Sequence, residues 1–155
     1  MPDSPLPNVH KSIYIRYRLR SSTYGYVTLR ESMGSIRGPR ALCLDEFKSL
    51  HRLQDTVFRP GPNTSMFDEF PTLFSPENRE RLRVISVDGE IVSAICYQIR
   101  PAIIYGVTLA VASLGAVCTY ESYRGHGFAT QLLDDTFAAA RKEGADVMLI
   151  SGQRG

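Results

Sequence analysis

The chain has no tryptophan and little cysteine. Its three cysteines, Cys43, Cys96 and Cys118, are odd in number, far apart and form no CxxC pair. That pattern excludes a disulfide framework and a thiolate zinc knuckle, and it fits a reducing, cytoplasmic compartment. His10, His51 and His126 are too dispersed to gather around a metal, so no metal is expected. Charge of one sign is also missing. Eighteen basic side chains face sixteen acidic ones for a net +2, and the arginines are scattered. No basic block suits a polyanion, so a nucleic-acid partner is not expected. The opening MPDSPLPNVHK has no apolar core of the kind a signal peptide needs. One uncharged stretch, Pro101 to Thr119, nearly reaches the length of a membrane span. It is rich in β-branched and small residues and divides at Gly106 and around Ser113–Gly115, so it reads as buried strands and no membrane partner is expected.

What is present describes one globular domain. A chain of 155 residues, 43 % hydrophobic and 22 % charged, is long enough to bury a core without staples. Pro2, Pro5 and Pro7 mark residues 1–12 as a flexible tail. Ile13 to Arg20 alternates loosely and reads as a candidate edge strand, with a turn at Ser21-Ser22 before a second candidate strand from Tyr24 to Arg30. The boundary is therefore expected at 24–25, with the folded domain from 25 to 155. Ser32 to Pro39 looks like a loop. A helix is predicted from Cys43 or Leu44 to Phe58, its apolar face made by Phe47, Leu50, Leu53 and Val57. Pro60-Gly61-Pro62 stops it. A short helix or loop covers 64–74, and a single turn lies near Glu77–Arg81.

From Leu82 the pattern changes to strands. Leu82–Val87 and Glu90–Ile99 flank Asp88-Gly89, a strong two-residue hairpin signal. A further strand or bent strand pair fills Ile103 to Thr119. A helix follows from about Gly127 to Glu143, with Leu132, Leu133, Thr136, Phe137 and Ala140 at helical spacing. Arg141 and Lys142 suit its negative end, and Gly144 suits its C-cap. Val147–Ile150 is a last strand. Strand–helix–strand implies a parallel pair with a crossover. The expected class is α+β, a three-layer α/β/α arrangement around a mixed sheet.

The segment carrying chemistry is Tyr123-Arg124-Gly125-His126-Gly127-Phe128-Ala129-Thr130. It joins a predicted strand to a predicted helix. Its glycines allow a tight turn and close approach of a ligand to the backbone. The helix start presents free amides and the positive end of a dipole, and Arg124 adds a mobile charge. Such a turn can cradle a pyrophosphate. It lacks the GK[S/T] of a Walker A loop and the GxGxxG of a dinucleotide fold.

These residues resemble motif A of the GCN5-related N-acetyltransferase (GNAT) superfamily, Q/R-x-x-G-x-G/A, with Arg124, Gly127 and Ala129 at the patterned positions. The resemblance is tight from Leu82 to Ile150 and looser from Tyr26 to Arg81. It implies the acyl-CoA N-acyltransferase fold, acetyl-CoA as co-substrate, and direct transfer of an acetyl group to a primary amine. Gly125, His126, Gly127, Phe128, Ala129 and Thr130 would then hold the pyrophosphate with Arg124. The backbone of Val117, Cys118 and Thr119 would line the thioester and pantetheine arm, with the Cys118 N–H polarising the carbonyl. Glu121 and Tyr120 are the candidates for proton transfer. Cys118 is also a candidate for covalent chemistry, although a strand cysteine without a neighbouring histidine reads more simply as core, as do Cys43 and Cys96.

The acceptor, a small molecule or a peptide amine, is left open by the sequence. Phe58, Phe67, Phe70 and Phe74 hint at an apolar wall, half or more of them as core. Such folds normally continue past their fifth strand, so the C-terminal part is expected to be missing here. Leu114–Gly127 resembles larger bacterial members with a further GNAT-like or sterol-carrier-like domain. Val147–Ile150 would otherwise be an apolar edge, to be covered by a homodimer or a further domain. The alternative to an enzyme is a non-catalytic coenzyme A-binding module, or one domain of a multidomain protein.

Overall fold

The computed structural model describes residues 10–18, 24–32 and 34–150. Strands β1 (His10–Arg18) and β2 (Tyr24–Ser32) form an antiparallel two-stranded sheet, registered from His10 opposite Ser32 to Arg18 opposite Tyr24. This ladder crosses the boundary expected at 24–25, and its first strand begins inside the stretch expected to be tail. Residues 1–9 and the predicted turn at Ser21-Ser22 lie outside the described residues.

The main sheet has five strands in the order β3 (Ile36–Ala41), β4 (Leu82–Val87), β5 (Glu90–Ile104), β6 (Val107–Thr119) and β7 (Val147–Ile150). Every neighbouring pair is antiparallel except β6 and β7, which run parallel from Val111 opposite Val147 to Leu114 opposite Ile150. The sheet is therefore mixed, as the strand–helix–strand pattern requires.

Two sequence expectations change. The segment around Gly38 is strand β3, not a loop. Gly38 and Pro39 interrupt its register, which jumps from Arg37 opposite Ser86 to Arg40 opposite Val84. A proline and a left-handed glycine (φ 106°) hide the strand from a propensity reading. Pro101–Thr119 divides once, not twice. Tyr105 and Gly106, both at positive φ, make the β5–β6 turn, while Ser113–Gly115 continues within β6. Strand β5 accordingly runs to Ile104, past the Ile99 expected from the sequence.

Helix α1 (Phe47–Phe58) and the four-residue α2 (Met66–Glu69) cover one face of the sheet, and α3 (Phe128–Lys142) covers the other. Strand alternation feeds both layers. Leu82 and Val84 pack with Leu50 and Leu53 of α1, whereas Ile85 and Val87 pack with Phe128 and Leu132 of α3. Leu50, Leu53 and Leu132 are all fully buried, so truncating any of them to alanine costs about 2–5 kcal/mol. Among the phenylalanines of the α2 region, Phe74 is buried, Phe67 stacks on it at 4.3 Å between ring centroids, and Phe70 is exposed.

Local chemistry fixes the helix ends. At the start of α1, Glu46 accepts the Cys43 N–H (2.9 Å) and pairs in a fork with Arg40. Glu46 therefore caps a turn and ties it to β3 at once. At the end of α3, Gly144 adopts φ 85°, and the Ala145 N–H reaches the Ala140 carbonyl at 3.0 Å, the six-to-one bond of a glycine C-cap. No described helix is long and apolar enough to cross a membrane.

Candidate active site

The site is assembled beside two β-bulges, one in the β4–β5 ladder and one in the β5–β6 ladder. On β5, Ile85 pairs with Ser93 but Ser86 pairs with Ile91, leaving one extra residue around Val92. On β6, Ala94 pairs with Cys118 but Cys96 pairs with Gly115, leaving one extra residue around Ala116. A bulge reverses the inward and outward alternation of its strand. Ala112 and Leu114 thus face α3, whereas Ala116 and Cys118, of the same parity, pack against α1. Ala116 carries the turn at φ 52°, unusual for a residue with a Cβ.

Ser93 locks the end of β6. Its hydroxyl, 1 % exposed, donates to the Cys118 carbonyl at 3.2 Å. The Thr119 hydroxyl lies 2.7 Å from Ser93 Oγ; since Ser93 has spent its only proton, Thr119 is the donor there. The Tyr120 N–H then bonds to the Val92 carbonyl at 3.0 Å. Among the described residues, the far edge of Gly115–Thr119 has no strand beside it, because pairing with β7 runs only to Leu114.

After a short 3-10 turn at Glu121–Tyr123 the chain enters the glycine turn. Gly125 and Gly127 both adopt left-handed backbone, at φ 80° and 76°. A Cβ on Gly125 would meet nothing within 4 Å, so the space before the turn is open. Gly127 caps α3, and the first intrahelical bond runs from the Gln131 N–H to the Gly127 carbonyl. The amides of Phe128, Ala129 and Thr130 are therefore not consumed by the helix. A shallow cleft of about 280 Å³ lies against Thr119, Arg124, both glycines and Ala129. A larger cavity of about 490 Å³, beside Asn78, Arg81 and Arg100, shares no residue with the turn.

Arg124 and His126 brace the turn. Arg124 Nε donates to the Thr119 carbonyl across a long 3.4 Å, leaving the guanidinium exposed at the cleft. His126 Nδ1 lies 3.0 Å from the Tyr123 carbonyl, which can only accept, so the ring carries its proton on Nδ1. The imidazole also lies over Phe128 at 5.8 Å between centroids. Together these contacts close the loop around open amides, a cradle whose donors suit a pyrophosphate.

The remaining sequence candidates separate by environment. Burial pushes the Cys118 thiol up to about 12, so at neutral pH it is a protonated core side chain, not a thiolate. Cys96 is likewise buried and raised. Cys43 differs from the expectation of a core residue, since the Arg40–Glu46 turn leaves it exposed. Val117 is exposed and Thr119 half-buried. The Tyr120 phenol is held above its ordinary value by burial, partly offset by a hydrogen bond with Thr56 of α1. Glu121 is exposed. Among the described residues, no three His, Cys, Asp or Glu side chains cluster to hold a metal.

Two contributors escape the sequence reading. Ser93 sits in an apolar strand and looks like a tolerated small residue. Gln54 interrupts the apolar stripe of α1 between Leu53 and Val57, and its full burial could have been suspected from that position.

Comparison with known proteins agrees with this geometry. A family model described as an acetyltransferase (GNAT) domain matches residues 39–153. No curated protein matches the sequence. Among solved structures, a probable N-acyltransferase from Enterococcus faecalis V583 superposes with a TM-score of 0.62 at 17 % identity, covering 77 % of this chain and 29 % of that one. This chain thus spans under a third of that relative's length. A GCN5-related N-acetyltransferase from Kribbella flavida gives a TM-score of 0.63 at 17 % identity, covering 75 % of this chain and 29 % of the other. A GNAT family acetyltransferase from Brucella melitensis, solved with acetyl-CoA, gives 0.59 at 20 % identity, covering 77 % and 76 %. With the fold, the glycine turn and the family match in agreement, the chain belongs to the GCN5-related N-acetyltransferase family.

Proposed function

We propose that the chain binds acetyl-CoA and transfers its acetyl group to a primary amine. The observation carrying this reading is the turn from Arg124 to Thr130, in which two left-handed glycines hold open amides and an exposed guanidinium around one shallow cleft. Coenzyme A bears a pyrophosphate, the group such a cradle fits best. The bound thioester supplies an activated acyl carbon: the amine nitrogen bonds to it, the C–S bond breaks, the amine proton is lost to a base, and the sulfur leaves as a thiol.

The chain's own groups divide the remaining work. Cys118 pairs with Ala94, in phase with the Tyr120–Val92 bond, so its N–H is spent on β5. The Thr119 N–H, on the uncovered edge of the strand end that Ser93 immobilises, is the amide suited to polarise a carbonyl without reorganisation. Tyr120 keeps its proton at neutral pH as an ordinary phenol does, and burial raises it further. It therefore suits the acid that protonates the leaving sulfur better than the base. Glu121, exposed one residue further on, is the candidate base. Cys118 offers neither its amide nor its sulfur. The acceptor wall would come from α1 and α2, where Phe67 and the exposed Phe70 offer apolar surface.

Calorimetric titration with acetyl-CoA and with coenzyme A tests the reading. Arg124→Ala should weaken both by about tenfold or more, the usual worth of a charged hydrogen bond. Equal binding by the variant, or no binding by the unaltered chain, would refute the donor site. Binding without turnover of any amine would leave a coenzyme A-binding module in place of an enzyme.

A further inference from the structure

Gln54 is fully buried in α1, on the side of the helix that meets Cys96 of β5 and Ala116 of β6. Its amide Nε2 donates to the Ala116 carbonyl at 3.0 Å. That orientation is forced, since a carbonyl cannot donate. The other end, Oε1, is buried and has no partner among the described residues. A half-satisfied buried amide costs stability relative to an apolar side chain, so packing alone gives no reason for it.

Nε2 also lies 3.9 Å from Cys96 Sγ, a weak acceptor; its strong acceptor, the Ala116 carbonyl, gives the reason. Ala116 is the left-handed residue of the β6 bulge, and neither it nor Val117 has a register partner on β5. Without Gln54 its carbonyl would be an unsatisfied acceptor facing α1. The bond therefore pins the extra residue in place, and with it the reversal that orients Val117, Cys118 and Thr119. Ser93 clamps this segment from its C-terminal side, and Gln54 clamps it from its N-terminal side.

We infer that Gln54 is a positioning residue for the acyl end of the donor site, setting where the backbone of Val117–Thr119 meets the thioester. The inference rests on the acetyl-CoA reading above. It separates two parts of one ligand: the glycine turn would hold the pyrophosphate common to acetyl-CoA and coenzyme A, while the strand end set by the bulge would meet the acetyl group that distinguishes them, beside the pantetheine arm they share.

The test measures dissociation constants for acetyl-CoA and coenzyme A with the unaltered chain and with Gln54→Met, which keeps side-chain length and removes the donor. The ratio of the two constants should change about fivefold in the variant, the worth of one hydrogen bond, while affinity for coenzyme A stays within twofold or so. A variant with an unchanged ratio overturns the inference and leaves the acetyl-CoA reading standing. An unaltered chain that binds neither ligand overturns both. If the variant does not fold, the Gln54 side-chain amide resonances of the unaltered protein decide. They should shift more with acetyl-CoA than with coenzyme A, and equal shifts reject the role.

Discussion

The Tyr97 hydroxyl donates to Glu143 Oε1 at 2.6 Å, joining the centre of β5 to the residue that ends α3. Glu143 also receives Arg81, just before β4, at 2.7 Å, and two turns earlier Asp135 receives Arg83 in a fork at 2.6 and 3.0 Å. Helix α3 is thus fastened to the sheet by polar bonds along one flank and by Phe128, Leu132 and Ala140 underneath. The glycine turn lies at the other end of the same helix, so whatever fixes α3 also fixes the direction of its free amides.

Tyr97→Phe should therefore cost about 1 kcal/mol, the net worth of one hydrogen bond, because Arg81 still satisfies the carboxylate. Chemical denaturation at pH 7 measures it. A loss several times larger would mean that the phenol carries more of the network than its single bond implies.

Acid should weaken the fold through two carboxylates. For Glu143, burial pushes the carboxyl up, but Arg81 and the Tyr97 bond together hold it below its ordinary 4.5. Burial likewise opposes, and Arg40 with the Cys43 N–H outweighs, for Glu46. A depressed carboxyl contributes fully above its unfolded value and loses that contribution as pH falls through its folded value. Stability should then decline below about pH 4.5, and Glu143→Gln should flatten part of that decline while lowering stability at pH 7. A variant with an unaltered acid slope would exclude Glu143 from the effect.

Glycine substitutions should separate folding from binding. A Cβ on Gly38 would sit 2.4 Å from the Val84 carbonyl oxygen, at φ 106°, so Gly38→Ala should cost about 3 kcal/mol or more, by clash and strain together. Gly125→Ala meets nothing but solvent and should cost only about 1–2 kcal/mol of left-handed strain, while its methyl group intrudes on the cleft. Thermal melting beside coenzyme A titration should find Gly38→Ala poor in stability and Gly125→Ala poor in binding.

Thiol chemistry should count exposure. Of the three cysteines only Cys43 is exposed, so iodoacetamide at pH 7.5 should modify one thiol in the native protein and all three after unfolding. Rapid native labelling of Cys118 would contradict both its burial and its raised thiol.

Legibility followed the range of the interaction. The Asp88-Gly89 hairpin, the span of α3, its glycine C-cap and the Arg124–Thr130 turn are all written in contiguous residues, and propensity and spacing suffice to read them. Strand β3 was illegible because Gly38 and Pro39 break its propensity, and only its pairing with β4 makes it a strand. Phe137 lies at helical spacing yet is exposed, because α3 buries a narrower stripe, Phe128, Leu132, Thr136 and Ala140, than its apolar residues could cover.

The sequence by itself determined the order of elements from Leu82 onward, the mixed sheet and the glycine turn that opens α3, since each depends on local backbone preference and on side chains a few residues apart. Tertiary structure alone decided which way Cys118 faces, why Ser93 and Gln54 matter, and how the strand end is held. Those depend on one extra residue in each of two strands, and a bulge leaves no mark on composition or period. It exists only because the partner strand fixes what lies opposite and a buried amide from α1 satisfies the carbonyl that the ladder leaves free.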